Sequence, residues 1–416
     1  MNILAFIMLI IGFFIYKVNP KYVIFYWMLW RPIVFPLICF SFHIVDVEAQ
    51  GVILHNFDLT NIFLFFLLII MELLNNNKII LPSNIIAGFI LLISYLLIGY
   101  RFNITILSSI FIVIFSLVLP FLYIYICKTN CLPSLKELLI FSFVLIVFEL
   151  LMCIANLYGV GKINDNELVS GSFRRFNDLG NYMTTLFLLI SISFFKYKVL
   201  SLRRYLMFFS CILFMLILSG AKISLALFAF IILSSLFFYK KNTVTIVVLT
   251  GFFYVLYKLY TVIDINSITG LQRIINIQER IQDSEFITTD LSFYLLENYF
   301  SLFGNWKAGN EFAYQYLSFT TSLFYADARL MYTLAENGLL GLFLYLYLFY
   351  QIICLCNKNA IADKNIYIID NKTVFIIFSY YFLLTITEPG FFDDLLYPLI
   401  LVFIRCKKQN NILLLN

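Results

Sequence analysis

Apolar stretches of about 20 residues, the length that crosses a bilayer as a helix, follow one another from residue 3 to residue 404 with mostly short polar connections between them. That succession constrains the fold more than any motif does. Inside a bilayer no water is on hand for backbone N–H and C=O groups, so each stretch must satisfy its own groups as an α-helix. The spans expected are 3–16, 22–45, 59–74, 79–99, 103–126, 136–158, 179–195, 205–218, 223–239, 243–262, 328–356, 373–386 and 391–404. The first, eighth and twelfth are short, so the fold class expected is an all-α polytopic membrane protein with twelve or thirteen transmembrane helices. Composition agrees, because 62% of the 416 residues are hydrophobic and 12% are charged, a balance that excludes a soluble globule.

Lysine and arginine resist translocation and collect in short cytoplasmic connections. Here they alternate. Lys17 and Lys21, Lys78, Lys128 and Lys136, Lys196 with Lys198, Arg203 and Arg204, Lys240 and Lys241, Lys358 with Lys364 and Lys372, and the tail with Arg405, Lys407 and Lys408 all fall on one side. That side is expected to be cytoplasmic, the C-terminus included. The opposite connections are acidic or mixed: Asp46, Glu48 and Asp58; Asp165, Glu167 and Asp178; residues 263–329; and Glu388, Asp393 and Asp394. The net charge of +5 reflects this bias, and no aromatic-basic pattern points to nucleic acid.

The apolar N-terminus has no A-x-A-like site, so the first span is expected to serve for insertion. Cys39, Cys127, Cys131, Cys153, Cys211, Cys354, Cys356 and Cys406 fall in spans or on the basic side, which implies no disulfide framework. His43 and His55 are too few for a zinc constellation, and Cys127 and Cys131 have no histidine near them in sequence. No metal and no cofactor is expected.

One transmembrane domain, 1–416, therefore carries two outward connections long enough to hold a site: a basic loop at 159–178 and a large loop at 263–327. In the large loop Leu271, Ile274, Ile275, Ile277 and Ile281 recur at near-helical spacing, the pattern of an interfacial amphipathic helix. A second helix is expected over 290–300, and Gly304-Asn-Trp-Lys-Ala-Gly309 reads as a turn.

Ionisable residues at membrane depth are functional candidates, because an unpaired buried charge costs several kcal/mol. Arg31, Glu72, Glu149 and Lys258 lie inside spans; Lys222 and Glu336 lie near span ends. Arg31 precedes Pro32 and is placed to snorkel, Lys258 is near the outer end of its span, and Glu72 is near a cytoplasmic boundary. Glu149 is deeper, and either a structural pair with another span or a catalytic part fits it. In Ser170-Gly-Ser-Phe-Arg-Arg-Phe-Asn-Asp-Leu-Gly180 two adjacent arginines precede a span that opens with small and polar residues. Guanidinium forks match phosphate oxygens, and a helix beginning near Asn177 or Asp178 adds backbone N–H groups. The bland alternative is a solvated surface touching lipid headgroups.

Gly171-Ser-Phe-Arg-Arg-Phe-Asn-Asp-Leu-Gly180 resembles the outward G-x-F-x-N-P-N-x-L-G element of the O-antigen polymerase and ligase superfamily, with Arg175 and Phe176 where Asn and Pro are common. Leu218-Ser-Gly-Ala-Lys-Ile-Ser-Leu-Ala226 resembles that family's next element, Ala221 and Lys222 standing where it carries Ser-Arg. Asp327-Ala-Arg-Leu-Met-Tyr-Thr-Leu-Ala-Glu-Asn-Gly-Leu-Leu-Gly341 resembles the element that closes the family's large loop, a His or Asp followed after ten residues by Gly in an E-x-G-L-x-G pattern. Ligases carry His at the first position and polymerases often Asp, so Asp327 favours a polymerase. Arg273 or Arg280 corresponds to a loop arginine ahead of a Gly turn, here Gly304, at a longer distance than the family shows.

The resemblance implies a GT-C-like glycosyltransferase of the bacterial cytoplasmic (inner) membrane. It would move a glycan from undecaprenyl pyrophosphate to a sugar hydroxyl on another lipid-linked repeat unit, for O-antigen, capsule or exopolysaccharide. A chain-length regulator is a partner implied by the family alone. Arg174, Arg175, Lys222, Arg273, Arg280 and Arg329 are the candidate pyrophosphate ligands, standing in place of a divalent ion, and Arg175 is also a catalytic candidate. Asp327 or Glu336 is the candidate base. Asp327 is equally suited to cap the eleventh span, Glu336 to bond a neighbouring span, and Gly338 and Gly341 to allow close packing. Tyr294, Tyr299, Trp306, Tyr314 and Tyr316 suit either sugar stacking or interfacial anchoring. The alternatives are an O-antigen ligase, which differs at the Asp327 position, and a lipid-linked oligosaccharide flippase, against which the single dominant loop and the lack of repeat symmetry argue.

Overall fold

In the computed structural model of the protein the residues described are 3–29, 33–41, 60, 63–74, 83–100, 119–126, 132–159, 169–173, 176–239, 250, 251, 254, 301–304, 329–362 and 368–387. They are helical, with no strand among them. In chain order the helices are α1 (Ile3–Val18), α2 (Pro20–Leu29), α3 (Phe35–Ser41), α4 (Phe63–Leu74), α5 (Ser83–Tyr100), α6 (Leu119–Ile126), α7 (Leu135–Leu157), α8 (Phe176–Phe195), α9 (Leu202–Ser219), α10 (Lys222–Tyr239), α11 (Arg329–Ala362) and α12 (Asn371–Thr387). Stretches in α7, α8, α9, α10 and α11 are long and apolar enough to cross a membrane, and α1, α4, α5 and α12 hold shorter apolar stretches. The chain is a multi-pass α-helical membrane protein.

The helices follow the expected spans with one departure among the described residues. Of the 22–45 stretch the described residues form α2 and α3, and of the 103–126 stretch those from 119 form α6. The 328–356 stretch is interrupted at Gly338, whose φ of 69° and ψ of −177° are not helical. The expected 391–404 span, and 243–262 apart from residues 250, 251 and 254, lie outside the described residues.

The least apolar span sits at the centre. Of α8, 94% is buried inside the bundle, against 39% of α7 and 44% each of α10 and α11. Its sequence accounts for this, because Asn181, Thr184, Thr185, Ser191 and Ser193 are polar and all are buried. Thr185 Oγ1 donates to the carbonyl of Asn181 at 2.8 Å and Ser193 Oγ to that of Leu189 at 2.6 Å, so hydroxyls withdrawn from lipid are satisfied by the turn below. Around it α9 and α10 close as a hairpin through Gly220, and Phe187 of α8 stacks on Phe228 of α10 at 4.1 Å. Ser134 and Glu137 form a capping box at the start of α7, the Ser-x-x-Glu pattern ahead of an apolar run.

Polar contacts sort the helix ends. Lys21 bridges Glu137 at 2.7 Å, Lys196 bridges Asp370, Asn84 donates to Gln351 at 3.0 Å, and Tyr239 meets Thr373 at 2.5 Å. Each pair joins ends that the charge alternation assigns to the basic side. Glu72, expected near a cytoplasmic boundary, is buried and accepts the Tyr16 hydroxyl at 2.6 Å. A partner hydroxyl within the bundle removes the need to reach water.

Candidate functional site

Three structured patches gather at the end of the bundle opposite the basic connections. The first begins in the connection between α7 and α8, where residues 169–173 turn back into the protein and all five are buried. This segment meets Glu149, two turns below the end of α7 and fully buried. Ser172 donates its backbone N–H to Glu149 Oε2 at 3.0 Å and its hydroxyl to Glu149 Oε1. Gly171 has a φ of 62°, and a Cβ there would lie 2.5 Å from Glu149 Oε2 and 3.4 Å from Cys153 Sγ, so glycine is what lets the segment reach the carboxyl group. Phe173 packs its ring 5.3 Å from that of Tyr182, whose hydroxyl donates to the Met28 carbonyl of α2 at 2.8 Å. Glu149 thus pairs with the connection and not with another span.

The second patch is the seat of α8 against the head of α10. A Cβ on Gly180 would fall 2.7 Å from Ala221 Cβ and 2.8 Å from Ser224 Cβ, so the two helices approach to backbone distance at this point. Ser224 Oγ donates to Asn181 Oδ1 at 2.9 Å. Lys222, half-buried, is the first residue of α10 and lies between Ala221 and Ser224 in the chain. Tyr380 of α12 meets Thr184 Oγ1 at 3.0 Å and Thr185 Oγ1 at 2.9 Å, tying this seat to a third helix.

The third patch is the break in α11. Leu339 and Leu340 donate their N–H groups to the carbonyls of Ser301 at 3.2 Å and Leu302 at 3.0 Å, so a piece of the large loop supplies the acceptors that the interrupted helix lacks. A Cβ on Gly338 would lie 2.5 Å from Phe303 C and 2.6 Å from Leu302 O, and closer still to Gly304 N. The Tyr95 hydroxyl of α5 lies 2.7 Å from the Asn337 carbonyl and 2.9 Å from that of Phe303, bridging helix and loop. Gly341 faces Tyr95, while the buried Asn337 Oδ1 has no hydrogen-bond partner among the described residues. The close packing expected at both glycines is thus present, but Gly338 admits loop backbone where Gly341 admits a helix.

The second and third patches lie at one depth. On α12, Tyr380 reaches Asn181 and Thr184 while Phe382 packs on Leu334 and Leu342 of α11. Two residues of helix separate them, a rise of about 3 Å.

Lys222, Gly180, Gly338 and Gly341 are therefore placed within these patches. Arg329 and Glu336 lie in α11, their side chains outside the description. Arg174, Arg175, Arg273, Arg280, Asp327, Arg31 and Lys258 lie outside the described residues, as do the helices expected over 271–281 and 290–300. Among the described residues no three His, Cys, Asp or Glu side chains gather as a metal set. The sequence reading missed Ser172, Asn181, Ser224 and Tyr95. Asn181 could have been found as an amide inside a span; Tyr95, one aromatic among many, carries no such signal. No family model, no curated protein and no solved structure matches the chain.

Proposed function

We propose that the protein is a polysaccharide polymerase that transfers a glycan from undecaprenyl pyrophosphate to a sugar hydroxyl of another lipid-linked repeat unit on the outer face of the cytoplasmic membrane. The observation that carries this reading is the meeting of separate motif segments: Gly180 and Asn181 lie against Ala221 and Ser224, and Gly304 lies against Gly338. These belong to the elements on which the family resemblance rests. In this reading the basic end faces the cytoplasm and the three patches lie on the outer side.

The chemistry follows from the leaving group. The acceptor hydroxyl oxygen attacks the anomeric carbon, the bond from that carbon to the pyrophosphate oxygen breaks, and the lipid pyrophosphate departs with the electron pair. Arg174, Arg175, Lys222 and an arginine from among Arg273, Arg280 and Arg329 stabilise the charge that develops there. Asp327, at the junction of loop and span, takes the acceptor proton, with Glu336 as the second candidate.

Deleting the gene and resolving surface glycan on a gel tests the reading. Loss of the ladder with retention of a single repeat is expected; lipid-linked polymer that accumulates without transfer indicates a ligase instead. Arg175→Ala and Asp327→Ala, inserted at normal levels, should reproduce the deletion. Normal polymer from both variants refutes the site.

A further inference from the structure

We infer that Glu149 is a positioning residue: from inside the bundle it clamps the segment 169–173, and through it the adjoining Arg174–Arg175 pair. The inference rests on the pyrophosphate-binding reading of that pair. Its own basis is a carboxyl group withdrawn completely from solvent in the middle of α7, with both oxygens given to one residue of a connection.

Burying a carboxyl group in a membrane bundle is costly, and an anchor that served stability alone would be better made from apolar packing. What a carboxyl group offers is two oxygens in a fork, both able to meet one residue. Oε2 takes the Ser172 N–H and Oε1 takes the Ser172 hydroxyl, which fixes both the backbone and the side chain of that residue. The surroundings serve the same contact. Gly171 leaves the space that a Cβ would fill, and Cys153, one turn along α7, forms the neighbouring wall. Phe173 is held by the Tyr182 ring, and Tyr182 by the Met28 carbonyl. On the far side of the arginines α8 begins at Phe176, and Gly180 is seated on α10. Anchored backbone therefore flanks the pair on both sides. Cations that stabilise a leaving group do so without reorganisation only if their backbone is fixed beforehand, which is the task this clamp performs.

The test uses the full-length protein in lipid vesicles with a polyprenyl-pyrophosphate-linked repeat unit as substrate. It compares Glu149→Leu, Glu149→Gln, Ser172→Ala and Arg175→Ala with the double variant Glu149→Leu/Arg175→Ala. Glu149→Leu and Ser172→Ala should each lower kcat/KM for the donor by about tenfold or more, the factor that losing a buried hydrogen bond carries. Glu149→Gln, which keeps one acceptor oxygen, should recover part of the loss. The decisive readout is coupling: a residue acting through the arginine loop makes the double variant no worse than Arg175→Ala alone, within about threefold. Losses that multiply in the double variant overturn the inference, as do wild-type kinetics in Ser172→Ala and Glu149→Gln, which also stand in if Glu149→Leu fails to insert. Wild-type kinetics in Arg175→Ala refute the pyrophosphate reading beneath it, and that outcome is separate from a failure of Glu149.

Discussion

Replacing Gly338 with alanine should destabilise the protein through the joint between the large loop and α11, and the size of the effect follows from two separate terms. The residue has a φ of 69° and a ψ of −177°, a combination open essentially to glycine alone, so an L-residue held there is strained by about 1–3 kcal/mol. The new Cβ would also meet backbone at Leu302, Phe303 and Gly304, which has no rotamer to change and must move as a piece. Moving it breaks the bonds from Leu339 and Leu340 to the carbonyls of Ser301 and Leu302, each contributing about 0.5–1.5 kcal/mol. The sum is roughly 2–6 kcal/mol. Gly159→Ala is the control, since Gly159 also has a positive φ, of 76°, but none of the described residues lies within 4 Å of a Cβ placed there, leaving a strain of about 1–2 kcal/mol. Thermal unfolding in detergent can be followed with a thiol-reactive fluorophore, because Cys39 and Cys153 are buried free thiols that react only when the bundle opens. The midpoint should fall further for Gly338→Ala than for Gly159→Ala. Equal shifts refute the packed joint.

Gly180→Ala should wedge α8 from α10 and lower the same midpoint, and adding Ser224→Gly should restore part of it, because Ser224 supplies two of the three nearest atoms to the new methyl group; a double variant no better than the single one argues against the close approach. Tyr95→Phe removes the hydroxyl shared by the Phe303 and Asn337 carbonyls and should destabilise by about 1–3 kcal/mol, read from the same unfolding curve. At the basic end burial raises the Asp370 pKa, but the bonds from Lys196 and Thr373 outweigh it and hold the carboxyl below its ordinary 3.8. A depressed folded-state pKa gives stability that is present above the unfolded value and lost as pH falls through the folded one. Asp370→Ala should therefore lower stability at pH 7 by about 1 kcal/mol, the worth of a helix cap with a partly exposed ion pair, and the deficit should close below about pH 3.8; a deficit that persists there refutes the assignment.

How much could be read beforehand depended on the length scale of the signal. A span needs about 20 apolar residues and announces itself wherever it occurs, which is why α7, α8, α9 and α10 fall within three residues of the expected ends. The ordering of span ends was legible for a similar reason: Lys21, Lys196 and Lys372 mark one side by composition alone, and the contacts of Lys21 and Lys196 hold to it. Gly338 and Gly341 stood out as a pair, yet their different uses did not, because a glycine gives no sign of whether helix or loop backbone will approach it. The Ser301–Gly304 strap shows the same limit. It meets α11 across more than thirty residues of chain that bear no periodicity linking the two, so only the folded structure brings them together.

Glu149 shows where composition stops and geometry begins. A carboxyl group in the middle of a span is conspicuous in any sequence, and the expectation that it must be partnered is sound electrostatics. The identity of the partner was not available by that route, because helix-to-helix pairing is the default for intramembrane charges and the actual donor, Ser172, lies in a connection that composition assigns to the outside. Two local facts reverse the default. Gly171 permits a positive φ with no side chain to clear, and Phe173 gives the returning segment an aromatic anchor against Tyr182. A small residue, a hydroxyl and an aromatic in succession after a long polar connection are thus the ingredients of a segment that dives back to a buried acceptor. The carboxyl group is then explained by the connection it holds, a segment fixed from two turns inside the bundle.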